Sequence, residues 1–206
     1  GMDEAPEILD IVRKTTDQYI FAPGWHADVT WQEAPVLGAL LYGVEVPDSG
    51  GDTLFSNQYL AYETLSEGMR RVLGKLNAIH SSAHTYGDGA EKLTHVHLMK
   101  LDRDAAVKGL SAHPVVRTHP ETGRKALFVN VGYTVGLQGM TETESKPLLD
   151  FLFAHSTQPE FTCRFRWTPG AIAFWDNRCS IHCPVDDYFG QRRRTWRITL
   201  QGDKPH

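Results

Sequence analysis

The chain has 206 residues, 41% hydrophobic and 22% charged, with a formal net charge of −4 at pH 7. This suits one globular domain, residues 1–206, with a sizeable core; it leaves no basic footprint for nucleic acid, and no apolar run is long enough to span a membrane. The three cysteines, Cys163, Cys179 and Cys183, make no disulfide framework, and with no recognisable secretory leader the expected setting is the cytoplasm.

In chain order, Ile8, Leu9, Ile11 and Val12 fit a strand or a short helix. Pro23-Gly24 then marks a turn. Trp25 to Trp31 alternates, which predicts a strand. Residues two apart in a strand project to one face, roughly 6.6 Å apart, so His26 and Asp28 would aim an imidazole and a carboxylate at one point. That supplies two ligands of a facial metal triad, although a lone His-x-Asp pair is more often a hydrogen-bonded strand couple. Val36 to Val46 reads as a second strand, Pro47 to Gly51 as a turn, and Asp52 to Phe55 as a return to the sheet. Residues 57–75 read as helical, with Ser66 as an N-cap and Met69, Val72, Leu73 and Leu76 at helical spacing. Residues 84–112, rich in Gly, His and Asp, predict a long loop with a lid role. Val115–Arg117 and Ala126–Val129 flank Pro120-Glu121-Thr122-Gly123 as a hairpin. Thr141 with Glu144 predicts a capping box and a helix to about His155, bent at Pro147. Phe161–Trp167, Ala171–Trp175 and Gln191–Leu200 are further strands. Strands at both ends with helices between predict an antiparallel β core decorated by helices.

The third metal ligand must come from elsewhere in the chain. Of ten histidines, His182 is the best placed, following a strand and preceding Pro184. About ten residues later, Arg193, Thr195 and Arg197 share one face of the last strand, and Arg192, Arg194 and Trp196 the other. Arg192 and Arg194 read as a solvated face. Two inward guanidiniums beside a metal form a receptor for carboxylates, because arginine binds them bidentately and keeps its charge. Cys179 and Cys183 would face away from His182 on an extended strand, so they read as buried cysteines rather than zinc ligands. His84, His95 and His97 read as loop histidines, His113 and His119 as structural, and Trp175 as core. There is no nucleophile elbow, phosphate loop or dinucleotide fingerprint.

Taken together, Trp25-His26-Ala27-Asp28-Val29-Thr30, Gly50-Gly51-Asp52-Thr53, His113 to Pro120, Ala126 to Asn130, Trp175-Asp176-Asn177-Arg178 with His182, and the arginine strand resemble the TauD/TfdA family of Fe(II)- and 2-oxoglutarate-dependent dioxygenases, with the taurine dioxygenases most alike. The likeness runs from about Trp25 to Pro205, and its motifs keep their order. It implies a mainly β protein with flanking helices, a double-stranded β-helix or cupin-like jelly roll. By position it makes His26, Asp28 and His182 the catalytic Fe(2+) ligands. It gives Thr53 and Arg193 the distal carboxylate of 2-oxoglutarate, and it puts Arg197 at the end where a small anionic substrate would sit. O₂ would be the second cosubstrate. Taurine enzymes carry an asparagine four residues before the first iron histidine, where this chain has Ala22; Thr85, Tyr86 and Tyr133 stand at other pocket positions. Gly139-Met140-Thr141 and Phe161-Thr162-Cys163-Arg164 are also similar to the aryloxyalkanoate enzymes of the family. Full members carry a region ahead of the segment aligned with residues 1–24, and surface left uncovered without it predicts a homo-oligomer. The alternative expectation is a metal-binding jelly roll without catalytic activity.

Overall fold

In the computed structural model, which describes residues 2, 5–18, 24–83 and 109–206, the chain opens with β1 (Leu9–Arg13), β2 (Gly38–Glu45) and β3 (Thr53–Asn57). Two short helices, α1 (Gln58–Glu63) and α2 (Glu67–Leu73), lead to β4 (Asn77–Ser81). There follow β5 (Leu110–Pro114), β6 (Val116–Thr118), β7 (Lys125–Leu127) and β8 (Thr134–Leu137). Helix α3 (Glu142–Ser156) precedes β9 (Thr162–Phe165), β10 (Ile172–Asp176), β11 (Ser180–Pro184) and β12 (Arg193–Leu200).

Two antiparallel sheets carry the site. One has four strands in the order β1-β12-β2-β10, the other three in the order β11-β3-β9. Their inward residues follow from alternation. Ala39 and Leu41 of β2 and Ala173 and Trp175 of β10 meet Trp167, Phe55 and Phe165 in one apolar core. Small residues let the strands approach: a Cβ on Gly38 would lie 2.2 Å from the Trp175 carbonyl oxygen. Opposite β12, register shifts where Arg194 pairs with Glu45 and Thr195 with Gly43, leaving Val44 as the extra residue of a bulge on β2. Because the bulge is on β2, Arg193, Thr195 and Arg197 keep one face of β12. This is the jelly roll that the motifs implied.

Beside it, β5-β4-β8 and the β6-β7 hairpin form a second antiparallel layer. Its core joins Ala78, Val115, Val116, Leu127 and Val129 to Leu65, Leu73, Leu149 and Leu152 from the helical segments. The helices start where local chemistry dictates. The Asn57 side chain accepts from the N–H groups of Tyr59 and Leu60, and the Ser66 hydroxyl from that of Met69. Region 57–75 is therefore two helices. The Thr141–Glu144 capping box is fully formed, and α3 continues through Pro147 to Ser156.

Three expectations need correction. Trp25–Trp31 is not a strand. Apart from one bridge at His26, residues 24–34 form turns and bends, and Val29 has a φ of +47°. The cysteines are not buried: Cys163 is exposed and Cys179 and Cys183 are half-exposed. Strand β4 lies where no element was expected, and β5 begins at Leu110, inside the expected loop. Most of that loop, with His84, His95 and His97, lies outside the described residues.

Candidate metal and cosubstrate site

His26 reaches the site through its backbone. Its N–H donates to the His182 carbonyl (2.9 Å), and its carbonyl accepts the return bond from the His182 N–H (2.8 Å). This bridge sets the two imidazoles side by side, with ring centroids 4.2 Å apart. His182 is fixed by β11, between the Phe55 and Trp175 rings at 6.1 and 4.7 Å. Asp28 is delivered by the turn that follows His26. Its Oδ1 lies 3.8 Å from His26 Nε2 and 3.7 Å from His182 Nε2. All three residues are buried.

The donor set is poised for a cation. His26 Nδ1 is 2.9 Å from the Gly24 carbonyl oxygen, which accepts from it and leaves Nε2 as the bare lone pair. Neither Nε2 nor Asp28 Oδ1 makes another hydrogen bond among the described residues. Burial pushes both imidazoles down, His182 to about 3, so both are neutral. Burial alone would raise the Asp28 carboxyl, but the Arg197 guanidinium, through its charge and its hydrogen bond, outweighs it and holds the group ionised, well below the usual carboxylate range. Two neutral imidazoles and one carboxylate, their donor atoms within 4.8 Å of one another, fit a divalent metal held on one face.

Arg197 is already engaged. Its Nη2 donates to Asp28 Oδ2 at 2.7 Å, its guanidinium lies 5.8 Å from the Trp175 ring centroid, and its buried Nε has no partner among the described residues. Sequence periodicity gave its face correctly but not this partner. Asn177, quoted only as part of a motif, also bonds Asp28: its Nδ2 donates to Oδ2 at 3.0 Å.

Further along the same face of β12, Arg193 and Thr53 meet at Trp167. The indole Nε1–H donates to Thr53 Oγ1 (3.0 Å), and the Arg193 guanidinium lies 5.4 Å from the indole centroid. Tyr188 lies near Arg193 and supports its charge. Burial pushes the Arg193 pKa down, and Arg13 adds repulsion. Its Nε is buried without a partner, and no acidic side chain of the described residues pairs with it. The Gly50-Gly51 turn sets this corner: both have positive φ, and a Cβ on either would strike Asp187 or Pro47 and Tyr188. Tyr133 stands edge-on to His26 at 6.0 Å and to Trp31 at 4.6 Å. Ala22, Thr85 and Tyr86 lie outside the described residues.

A second cluster, His119, Asp176 and Cys179, does not have metal chemistry. His119 Nδ1 accepts from the N–H groups of Glu121 and Thr122, so Nε2 carries the proton and donates to Asp176 Oδ2 (3.1 Å). Arg178 occupies both Asp176 oxygens, and burial pushes the Cys179 thiol up. The structural reading of His119 holds. So does that of His113, whose Nε2 contacts the Thr30 and Gln32 carbonyls at 2.9 Å each.

A jelly roll with two histidines and one carboxylate on one face presents the donor set of a candidate non-haem metal site. The family model described as "Taurine catabolism dioxygenase TauD, TfdA family" matches residues 2–199, and the chain belongs to that family. It is 38% identical over 182 residues to a putative alpha-ketoglutarate-dependent sulfonate dioxygenase of Schizosaccharomyces pombe, covering 88% of this chain and 44% of that protein. It is 39% identical over 189 residues to an alpha-ketoglutarate-dependent sulfate ester dioxygenase of Pseudomonas putida, covering 89% and 61%. The crystal structure of a taurine dioxygenase from Burkholderia xenovorans superposes with a TM-score of 0.81 at 36% identity, over 100% of this chain and 68% of that one. The chain thus spans about half the length of these curated relatives.

Proposed function

We propose that the chain is the catalytic jelly roll of an Fe(II)- and 2-oxoglutarate-dependent dioxygenase that hydroxylates a small anionic substrate of the sulfonate, sulfate ester or aryloxyalkanoate class. The reading rests above all on Arg193, a half-buried guanidinium whose Nε is buried and which has no acidic partner among the described residues, in the same barrel as the triad. A buried charge is tolerated only when something compensates it, and a dicarboxylate whose other end reaches the metal does so.

His26, Asp28 and His182 would hold Fe(II), which when loaded with 2-oxoglutarate and O₂ supplies the oxidative decarboxylation to succinate and CO₂ and the oxidant for a substrate C–H bond. The protein's part is placement. Arg193 grips the distal carboxylate of 2-oxoglutarate as a bidentate fork, and the Thr53 hydroxyl, its lone pair taken by Trp167, is free to donate its proton to the same group. Arg193 and Arg197 lie four residues apart on one strand face, roughly 13 Å, so one grips the cosubstrate's far end while the other stands at the metal. Arg197 uses one nitrogen on Asp28 and keeps donors for an anionic substrate group. Tyr133 walls the His26 side and helps exclude water. If hydroxylation falls on the carbon bearing the sulfonate, sulfate or aryloxy group, the product fragments spontaneously.

The free thiols fit a reducing, cytoplasmic setting. No helix of the described residues is long and apolar enough to cross a membrane. Anaerobic addition of Fe(II) and 2-oxoglutarate should give a visible metal-to-ligand band, absent in Asp28→Ala. A substrate panel read out by succinate then separates an enzyme from a metal-binding relic; a band without any substrate-dependent succinate favours the relic.

A further inference from the structure

Asp28 sits on a segment that the sheets do not hold. Among the described residues the one ladder contact of residues 24–34 is the His26–His182 bridge, and the residue after Asp28, Val29, has a φ of +47°, which a β-branched residue adopts only under constraint. The constraint next to Asp28 is a side chain. Asn177, in the turn after β10, is anchored by its own N–H to the Leu37 carbonyl (2.8 Å). Its Oδ1 accepts from two N–H groups, the Trp175 indole at 3.1 Å and the Asp28 backbone at 3.3 Å. A group facing two obligate donors is the carbonyl, so the amide nitrogen is the end that meets Asp28 Oδ2, at 3.0 Å. Arg197 donates to that same oxygen at 2.7 Å. Oδ1 accepts no hydrogen bond among the described residues and faces the two histidines.

We propose that Asn177 is a positioning residue that fixes how Asp28 binds metal. By occupying Oδ2 and gripping the Asp28 backbone, it presents Oδ1 alone and keeps the carboxylate monodentate. A carboxylate binding through both oxygens would take one of the three positions that a facial triad leaves open for cosubstrate and O₂. Trp175 completes the device by holding the amide in the orientation that donates. The inference rests on the metal-centre reading.

Co(II), whose d–d absorption reports coordination number and geometry, is the probe. Wild type, Asp28→Ala, Asn177→Leu and Asn177→Asp are titrated with Co(II) alone, and metal-free melting and far-UV circular dichroism report the fold. Wild type should bind and Asp28→Ala should not. Asn177→Leu, similar in size and without polar atoms, should bind about 10- to 100-fold more weakly, as expected on removal of a group that orients a ligand, and with an altered d–d band. Asn177→Asp keeps the shape but sets an acceptor against Oδ2. It should alter the band too, and it decides the matter if the leucine variant misfolds. A lowered melting temperature with wild-type Co(II) affinity and spectrum would mark Asn177 as merely structural and overturn the proposal while leaving the metal centre intact. If wild type itself binds no Co(II), the metal centre falls and the proposal with it.

Discussion

Replacing Arg193 with leucine should move stability and cosubstrate affinity in opposite directions. In the metal-free protein the guanidinium is half-buried, its Nε is buried without a partner among the described residues and Arg13 repels it. Partly burying such an ion costs less than full burial, about 2–3 kcal/mol after relaxation. One contact offsets part of this: the Trp167 ring at 5.4 Å, about 1–2 kcal/mol for a cation–π pair. Arg193→Leu should therefore stabilise the metal-free chain by about 1 kcal/mol, or roughly 2–4 °C in melting temperature. The same change removes the fork for the distal carboxylate and leaves Thr53 alone to meet it. That should weaken 2-oxoglutarate binding by about 2–4 kcal/mol, roughly 30- to 700-fold. Arg193→Lys should recover only part, because an ammonium cannot reproduce the fork. Thermal melts of the metal-free protein and anaerobic calorimetry with the Co(II) form measure the two quantities. A lower melting temperature with unchanged 2-oxoglutarate affinity would refute the assignment of Arg193 as an anion receptor.

Arg197→Leu should behave oppositely in the metal-free state, destabilising by about 3–5 kcal/mol because the buried Asp28 loses its ion pair; with substrate in hand it should raise the apparent Michaelis constant more than it affects 2-oxoglutarate. Urea titrations showing the same sign for both arginine variants would defeat this division. His80 is held neutral by burial, with His113 adding, down to about 3, while the unfolded imidazole protonates near its ordinary value. The unfolded state therefore binds more protons between those limits, and this contribution is complete above about pH 6.5 and declines as pH falls towards 3. His80→Gln should flatten that acid slope by up to about 1.4 kcal/mol per pH unit, and an unchanged slope would show that His80 is not the group responsible. Ile172, Phe174 and Leu200 are 57%, 61% and 40% exposed on the outer face of the four-stranded sheet, a patch expected to pair two copies of the chain. Phase-resolved light scattering should find a dimer that Phe174→Lys dissociates; a wild-type monomer at high concentration would rule the patch out as a self-interface.

Most of the frame could be read from local chemistry. Thr141 and Glu144 cap a helix because their side chains satisfy each other's backbone N–H groups, a demand that belongs to four residues and no others. The hairpin around Pro120–Gly123 and the inward set Arg193, Thr195 and Arg197 likewise follow from turn chemistry and period two. The segment from Trp25 to Trp31 misled for a related reason. Alternating aromatic and β-branched residues score as strand, and no local signal reveals that Val29 takes a positive φ. That conformation is held from a distance, by the His182 bridge, the Asn177 clamp and the His113 contacts to the Thr30 and Gln32 carbonyls, and tertiary contacts outweigh a strand preference of this size. The pairing of His26 with Asp28 survived the misreading because a turn can also converge two side chains two residues apart.

The two inward arginines show what periodicity leaves out. It assigns Arg193 and Arg197 the same face of one strand and so the same description. Their partners, however, come from segments far away in sequence, and partners decide what a buried charge is for. Arg197 meets Asp28 and is compensated inside the protein; its first duty is to an internal carboxylate. Arg193 meets Trp167, Tyr188 and the like charge of Arg13, none of them an anion. Among the described residues no anion balances this guanidinium, and a ligand bearing negative charge, such as the proposed cosubstrate, would do so. The imbalance falls roughly 13 Å from Arg197 along the strand, which is where the far end of a metal-chelating dicarboxylate would need a grip and a simple monoanion at the metal would not reach.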